Sequence, residues 1–144
     1  QDFHVTPRML VLEITEHERV DNMDRLAEVV QEVRAAGLAL ALDDFGDGRS
    51  SLRLWSQIKP EVVKIDKYFT RNISAHGDKL KTIQALQHIA TIFGTALVAE
   101  GIETAEQQLL LTELGCEFGQ GYLYARPTSF SDIEQQLSAA LLVQ

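Results

Sequence analysis

Residues 38–52 read LALALDDFGDGRSSL, and the switch from apolar to acidic residues within this stretch decides the fold. Residues 38–42 (LALAL) form an apolar run of strand length that passes directly into Asp43 and Asp44. A run that is apolar at every position is typical of a parallel strand covered by helices. We therefore predict a buried strand that delivers two adjacent carboxylates at its carboxyl end.

The same alternation of short apolar runs and amphipathic segments extends in both directions from this stretch. Further strands are predicted at residues 10–15, 62–65, 96–99 and 118–124. Strands that alternate with helices pair in parallel through right-handed crossovers. The sequence therefore predicts an α/β fold with about five parallel strands and flanking helices.

Helix boundaries are predicted from capping residues. Helices are expected to begin near Asp21 or Asn22, Ser51, Asp78, Thr104, and Ser131 or Asp132. Glycines suited to helix ends are Gly37, Gly94 and Gly115. Thr104 and Gln107 have the spacing of a capping box. Each predicted helix thus lies between two predicted strands or follows the last one.

The composition is that of a single acidic globular domain. The chain has 144 residues, of which 45% are hydrophobic and 24% are charged, and its formal net charge is −8. Such an acidic chain is not expected to bind nucleic acid or membranes non-specifically. No apolar run approaches the ~20 residues of a membrane span. The single cysteine, Cys116, excludes an intramolecular disulfide and favours a reducing compartment, the cytoplasm.

Polar side chains collect at or near the carboxyl ends of the predicted strands, where β/α barrels build their active sites. In chain order they are Glu13, Glu16, Asp43, Asp44, Lys64, Asp66, Glu100, Glu103 and Gln120. Several converging carboxylates repel one another unless a cation lies between them. Oxygen ligands without a nearby histidine favour Mg²⁺, Mn²⁺ or Ca²⁺ over zinc or copper. The pattern therefore predicts a metal site.

Other roles for these residues remain open from the pattern alone. Glu16, Asp66 and Glu103 each also fit a helix cap or a salt-bridge partner. Two reaction classes fit the whole set: two metals that activate water for phosphodiester hydrolysis, or Mg²⁺ beside a lysine base that stabilises an enolate. The adjacent pair Asp43 and Asp44 favours two metals, because neighbouring carboxylates can bridge and flank ions.

Five motifs resemble those of the EAL domain family and follow the family's order. They are LEITE at 12–16, DDFGDGRSSL at 43–52, PEVVKID at 60–66, AEGIET at 99–104 and QGYLYARP at 120–127. They lie within residues 10–130. The resemblance implies a TIM-like (β/α) barrel that hydrolyses the bacterial second messenger cyclic di-GMP to linear pGpG. It also implies a two-ion site for Mg²⁺ or Mn²⁺ and a homodimer.

The resemblance further implies which residues hold the ions and act on the substrate. The metal ligands would be Glu13, Asp43, Asp44 and Glu100. Asp43 would bridge two ions, and Glu100 would also belong to the catalytic set. Lys64 would position or activate the attacking water, and Asp66 would support it.

Four more residues would shape the surroundings of the ions. Glu103, Gln120 and Pro127 would contribute to the substrate pocket, and Glu16 would anchor the loop after Asp44. That loop carries Asp47 and Arg49, where the family usually has threonine and tyrosine.

The family's N-terminal strands, which carry the glutamate of the E-A-L tripeptide and an asparagine ligand, have no counterpart here. We therefore expect residues 1–144 to be a partial EAL domain and an incomplete barrel that is weakly active or inactive alone. The alternative is a degenerate EAL module that binds cyclic di-GMP or a partner protein without catalysis.

Overall fold

The structure, a computed structural model, describes residues 5–15, 23–47 and 52–141. The predicted helix start at Asp21 or Asn22, the predicted loop anchor Glu16, and Arg49 lie outside these residues. Among the described helices, none is long and apolar enough to cross a membrane.

Five parallel strands form one sheet, in the order in which they occur along the chain. They are β1 (Val11–Thr15), β2 (Ala39–Phe45), β3 (Val62–Ile65), β4 (Ala96–Ala99) and β5 (Phe118–Gly119). Each strand pairs with the next one, as in a β/α barrel; a doubly wound sheet instead reverses its strand order. The predicted α/β fold with five parallel strands is confirmed.

Helices connect the strands and follow the last one. They are α1 (Met23–Ala35), α2 (Leu52–Ile58), α3 (Lys67–Thr70), α4 (Asp78–Phe93), α5 (Ala105–Glu113) and α6 (Phe130–Leu141). A 3₁₀ turn, Pro7–Met9, precedes β1. The single turn α3 was not predicted, because four residues are too few to show a helical period.

Capping explains most of the helix ends. Gly94 ends α4 with a φ of 67°, and Gly37 follows α1 with a φ of 83°. Such left-handed backbone favours glycine. The predicted capping box at the start of α5 is present. The Thr104 hydroxyl accepts a hydrogen bond from the Gln107 main-chain amide, and the Gln107 side chain accepts one from the Thr104 main-chain amide.

The predicted start near Asp78 is confirmed, but its predicted capping role is wrong, and the predicted start of the last helix is one or two residues late. Asp78 is the first residue of α4 rather than its cap, since Gly77 occupies the cap position. Asp78 there adds a negative charge to the first turn, which the helix dipole favours. The last helix begins at Phe130, before Ser131 and Asp132, because the Ser129 hydroxyl accepts the hydrogen bond from the Asp132 amide at 3.3 Å.

The predicted fifth strand, residues 118–124, is too long. Only Phe118–Gly119 pairs with β4, and the chain then turns back toward the segment after β4. The Leu123 amide donates to the Ile102 carbonyl at 3.0 Å. Gly121 presses so closely on this segment that a β-carbon there would lie 2.1 Å from the Ile102 carbonyl oxygen.

The core lies between the central strands and the helices that cover them. Trp55 in α2 is fully buried, and its ring meets Phe45 and Phe93 edge to face at centroid distances of 5.1 and 5.7 Å. Its indole N–H donates to the Thr95 hydroxyl at 3.1 Å. By contrast, the edge strands β1 and β5 are largely exposed. The sheet is therefore open at both edges.

Candidate functional site

A bulge in β2 brings Asp43 and Asp44 to one site. Leu42 pairs with Val63 and Phe45 pairs with Ile65, so that both aspartates lie opposite Lys64 alone. Successive side chains of a regular strand point to opposite faces, and an extra residue in the strand changes this alternation. Asp44 carries the irregularity, with a left-handed φ of 54°. The predicted end of this strand at residue 42 is wrong, because the strand continues through the bulge.

Three carboxylates from two strand ends converge above the sheet. One oxygen each from Asp43, Asp44 and Glu100 can be chosen so that all lie within 4.8 Å of one another. Asp43 and Asp44 belong to β2, whereas Glu100 directly follows β4. The intervening strand β3 supplies Lys64. This set of side chains, Asp43, Asp44, Lys64 and Glu100, is called the acidic cluster below.

Lys64 lies at the centre of the acidic cluster. Its ammonium nitrogen is 2.9 Å from Asp43 Oδ1, 2.9 Å from Glu100 Oε1 and 3.2 Å from Glu13 Oε1. Only 12% of the Lys64 side chain is exposed, whereas Glu13 on the edge strand β1 is 47% exposed. Three strands thus direct carboxylates at one ammonium group, and together these carboxylates carry more charge than the ammonium neutralises.

The pKa values follow from this crowding. Burial alone would lower the pKa of Lys64, but its close contacts with the Asp43, Glu100 and Glu13 carboxylates outweigh burial and raise that pKa well above its usual range. Burial raises the pKa of Glu100; Lys64 opposes that rise, and repulsion from Asp43 and Asp44 adds to it. Lys64 is therefore a firmly protonated donor, and Glu100 is a carboxylate that a further cation would stabilise.

One buried oxygen of the acidic cluster has an ion-pair partner but no well-formed hydrogen bond. Asp43 Oδ1 is 2.9 Å from the Lys64 ammonium, which makes an ion pair by distance, yet no hydrogen bond of favourable geometry reaches it. Polar atoms as buried as this one normally have such a bond. An all-oxygen set with an unsatisfied buried carboxylate fits Mg²⁺, Mn²⁺ or Ca²⁺. The acidic cluster is thus suited to a divalent cation.

Asp66 lies one residue beyond β3 and caps α3. Its carboxylate accepts from the Tyr68 amide at 2.8 Å. A helix cap was one of the roles that the sequence left open for Asp66, and this contact accounts for its side chain in the described structure. Asp66 thereby fixes the turn that follows Lys64.

A cavity of about 350 Å³ adjoins the acidic cluster at Glu100. Its walls come from α3 and from the segments that follow β4 and β5: Lys67, Arg71, Glu100, Gly101, Glu103, Gln120, Gly121 and Tyr122. Glu103 and Gln120 therefore line this cavity, whereas Pro127 does not belong to its walls. The ring of the wall residue Tyr122 also contacts Arg126, whose guanidinium lies 4.4 Å from the ring centre.

Sequence reasoning missed Lys67, Arg71 and Tyr122 as members of this cavity. Lys67 and Arg71 reach it because α3 turns the chain back over the strand ends immediately after Asp66. A cation directly after the VKID motif, followed by another one turn later, was the available signal. It was not recognised, because α3 itself was not predicted.

The EAL domain family model matches residues 2–127. The chain belongs to the EAL domain family. Its five-stranded sheet is accordingly part of a TIM-barrel-like fold, the architecture of the EAL domains that resemble it. The polar side chains at the carboxyl ends of its strands therefore lie where barrels of this kind carry their active sites.

Curated EAL relatives include two proteins of Pseudomonas aeruginosa. The cyclic di-GMP phosphodiesterase NbdA is 35% identical over 130 residues, which make up 90% of this chain and 17% of NbdA. The cyclic di-GMP phosphodiesterase RocR is 36% identical over 126 residues, or 88% of this chain and 32% of RocR. The chain thus spans less than a third of the length of either relative.

Solved structures of EAL proteins have the same fold as this chain. The EAL domain of Mycobacterium smegmatis DcpA matches with a TM-score of 0.84 and 32% identity, over 90% of this chain and 58% of that one. Klebsiella pneumoniae BlrP1, solved with manganese and cyclic di-GMP, matches with a TM-score of 0.78 and 34% identity, over 85% of this chain and 31% of that one. BlrP1 has also been solved with calcium.

Proposed function

We propose that the EAL domain containing this chain hydrolyses one phosphodiester bond of cyclic di-GMP to yield linear pGpG. The observation that carries this proposal is the acidic cluster, in which a strand bulge aims two consecutive aspartates at one lysine and one glutamate. Its support from relatives is that NbdA and RocR are named cyclic di-GMP phosphodiesterases. The enolate-forming alternative has no comparable support.

The proposed cofactor is a pair of divalent cations, Mg²⁺ or Mn²⁺. Glu13, Asp43, Asp44 and Glu100 would hold them, with Asp43 shared between the two. Bound cations of this kind neutralise phosphate charge and lower the pKa of a water molecule, which yields a nucleophile near neutral pH. The manganese and calcium complexes of BlrP1 support a divalent ion, and the unsatisfied Asp43 oxygen supports its place in this chain.

The residues of the chain have distinct tasks in this reaction. Lys64 is proposed to position or activate the attacking water, since its ammonium group lies between the strands that supply Asp43 and Glu100. Asp66 holds the turn after Lys64 in place. Glu103 and Gln120 are proposed to contact the part of the substrate that extends beyond the cleaved bond, in the cavity next to Glu100.

Further properties are proposed on the family resemblance. Pro127 is proposed to belong to the substrate pocket of the complete domain, and Glu16 to anchor the loop after Asp44. The complete protein is proposed to act in the cytoplasm as a homodimer. Light scattering on the purified complete protein checks the dimer, and a monomeric mass at micromolar concentration would contradict it.

The test of the proposed function is turnover of cyclic di-GMP by the complete EAL domain, followed by chromatography of the products. Linear pGpG is expected with Mn²⁺ or Mg²⁺ and is expected to disappear with EDTA or with Asp43→Asn. The 144-residue chain alone is expected to be weakly active or inactive. Tight binding of cyclic di-GMP by the complete domain without any pGpG would instead identify a binding module and overturn the proposal.

A further inference from the structure

The segment that carries Glu100 is held by hydrogen bonds to the sheet and by close contacts with α3. Residues 100–104 connect β4 to α5, and within them the Glu100 amide donates to the Ile65 carbonyl at 3.2 Å and the Ile102 amide to the Gln120 carbonyl at 3.1 Å. Between these two residues, Gly101 adopts a φ of 68° and passes so close to α3 that a β-carbon would lie 2.6 Å from the Lys67 β-carbon. This contact places the segment directly against α3.

Thr70 binds the segment from the α3 side. Its side chain is fully buried, and its hydroxyl donates to the main-chain carbonyl of Glu100. The main-chain carbonyl of Thr70 in turn accepts from the Gln107 side-chain amide at 3.0 Å. Thr70 therefore connects Glu100 with Gln107, which lies seven positions further along the chain.

Gln107 binds the same segment from the α5 side. Its side-chain oxygen accepts from the Glu103 amide at 2.8 Å and from the Thr104 amide at 3.0 Å. The orientation of the carboxamide is determined by these partners, because the oxygen faces two N–H donors and the nitrogen faces a carbonyl. One side chain thus fastens α3, α5 and the intervening segment to one another.

We propose that Gln107 is a positioning residue for Glu100: its carboxamide ties residues 100–104 to α3 and so holds the Glu100 carboxylate beside Lys64 and Asp43. The proposal rests on the proposed function, in which Glu100 is a metal ligand. Groups that orient a metal ligand without touching the metal typically change metal affinity about 10- to 100-fold when they are removed. Gln107 also caps α5, and the test must separate the two roles.

The decisive variant is Gln107→Glu. A glutamate keeps an oxygen that can cap the Glu103 and Thr104 amides, but it sets a second oxygen against the Thr70 carbonyl in place of the amide donor. The matched controls are Thr104→Ala, which removes the reciprocal half of the capping box and keeps the tie to α3, and Gln108→Glu, which adds the same charge one residue away. An added negative charge by itself strengthens cation binding.

Two measurements on the 144-residue chain test the proposal: Mn²⁺ affinity by electron paramagnetic resonance, and amide hydrogen exchange of residues 100–104. Gln107→Glu is expected to weaken Mn²⁺ binding about tenfold and to accelerate amide exchange in residues 100–104. The added negative charge alone would have the opposite effect on Mn²⁺ binding. Gln108→Glu is expected to do neither, and Thr104→Ala is expected to lower the melting temperature with less loss of Mn²⁺ affinity.

Two results would overturn the proposal: Mn²⁺ affinity of Gln107→Glu equal to that of Gln108→Glu, or a loss in Thr104→Ala as large as in Gln107→Glu. The second result would reduce Gln107 to a helix cap. Failure of the proposed function is seen separately, as a complete EAL domain that yields no pGpG, and a wild-type chain that binds no Mn²⁺ would remove the premise that Glu100 is a metal ligand. In either case the exchange rates still decide whether Gln107 holds residues 100–104: faster exchange in Gln107→Glu alone supports the tie, and unchanged exchange refutes it.

Discussion

At the scale of single residues, Asp44 shows most clearly how function and stability compete. It is one of three non-glycine residues with positive φ among those described, and it sits at the bulge that aligns the acidic cluster. Aspartate in the left-handed region costs about 1 kcal/mol or more unless its surroundings compensate. Its carboxylate also repels Glu100 and so contributes to the raised pKa of Glu100. Asp44 is thus poorly explained by folding alone.

The first prediction concerns the stability of Asp44→Asn in the absence of metal. Asparagine tolerates left-handed backbone well and carries no charge, so it removes repulsion without disturbing the bulge. We expect the free energy of unfolding in EDTA to equal or exceed that of the wild-type chain, by up to about 1 kcal/mol. Urea unfolding followed by circular dichroism measures it. A loss of more than about 1 kcal/mol would mean that the Asp44 carboxylate supports the fold.

At the scale of secondary structure elements, the end of the sheet opposite the acidic cluster is fastened by Glu61 and Arg34. The Glu61 carboxylate accepts from the Leu40 amide at 2.8 Å and from Arg34 Nε at 3.0 Å. Arg34 also donates to the carbonyls of Ile58 and Lys59 at 3.1 and 2.6 Å. This contact joins α1, β2 and the start of β3 far from the proposed chemistry, and so it serves stability alone.

The second prediction is the pH dependence of that contact. Burial would raise the pKa of Glu61, but the Leu40 amide and Arg34 outweigh it and lower the pKa. A lowered folded-state pKa means that the stabilisation is present above the unfolded-state pKa and is lost as the pH falls through the folded-state pKa. Glu61→Gln should therefore lower the urea midpoint near neutral pH and have less effect near pH 3. An equal effect at both values would show that the charge of Glu61 is unimportant.

The elements also show which features a sequence can predict. The bounds of β3 and β4 agree with the predicted residues 62–65 and 96–99, because each is a short apolar run between a helix end and a charged residue. The bulge in β2 depends on its register with β3, and the early end of β5 depends on the contact between Gly121 and Ile102. Both depend on packing between distant segments, which local pattern does not encode.

The candidate site was predictable to a similar degree. Alternating strands and helices were enough to predict that Asp43, Lys64 and Glu100 would meet, since parallel strands end at one edge of the sheet. The cavity residues Lys67 and Arg71 and the tie made by Gln107 were not predictable in this way. They depend on the single turn α3 and on one side chain that reaches across two elements.

At the scale of the whole molecule, the sheet is open along both edges. Met9, Leu10, Val11 and Leu12 at the β1 edge are between 42% and 67% exposed, and Phe118 in β5 is 51% exposed. A parallel sheet with exposed apolar edges invites pairing with another chain. The chain spans 58% of the solved DcpA EAL domain, and we propose that the rest of the complete domain covers these edges.

The third prediction follows from the open β1 edge. Val11→Lys places a charge on an exposed edge position, which disfavours strand pairing between molecules. We expect the 144-residue chain to self-associate at micromolar concentration and Val11→Lys to reduce this association several-fold by light scattering. Ile92→Lys, which changes an even more exposed apolar residue on α4 away from the edges, is the control. Equal reduction by both variants would show that surface charge, not edge pairing, controls association.

The most direct test of the central claim, that the acidic cluster is a divalent cation site, is a titration of the 144-residue chain with Mn²⁺ followed by electron paramagnetic resonance. Wild type should bind Mn²⁺, and Asp44→Asn, whose fold is expected to be intact, should bind it at least tenfold more weakly. Equal Mn²⁺ affinity in the two chains, or no binding by wild type, would contradict the account.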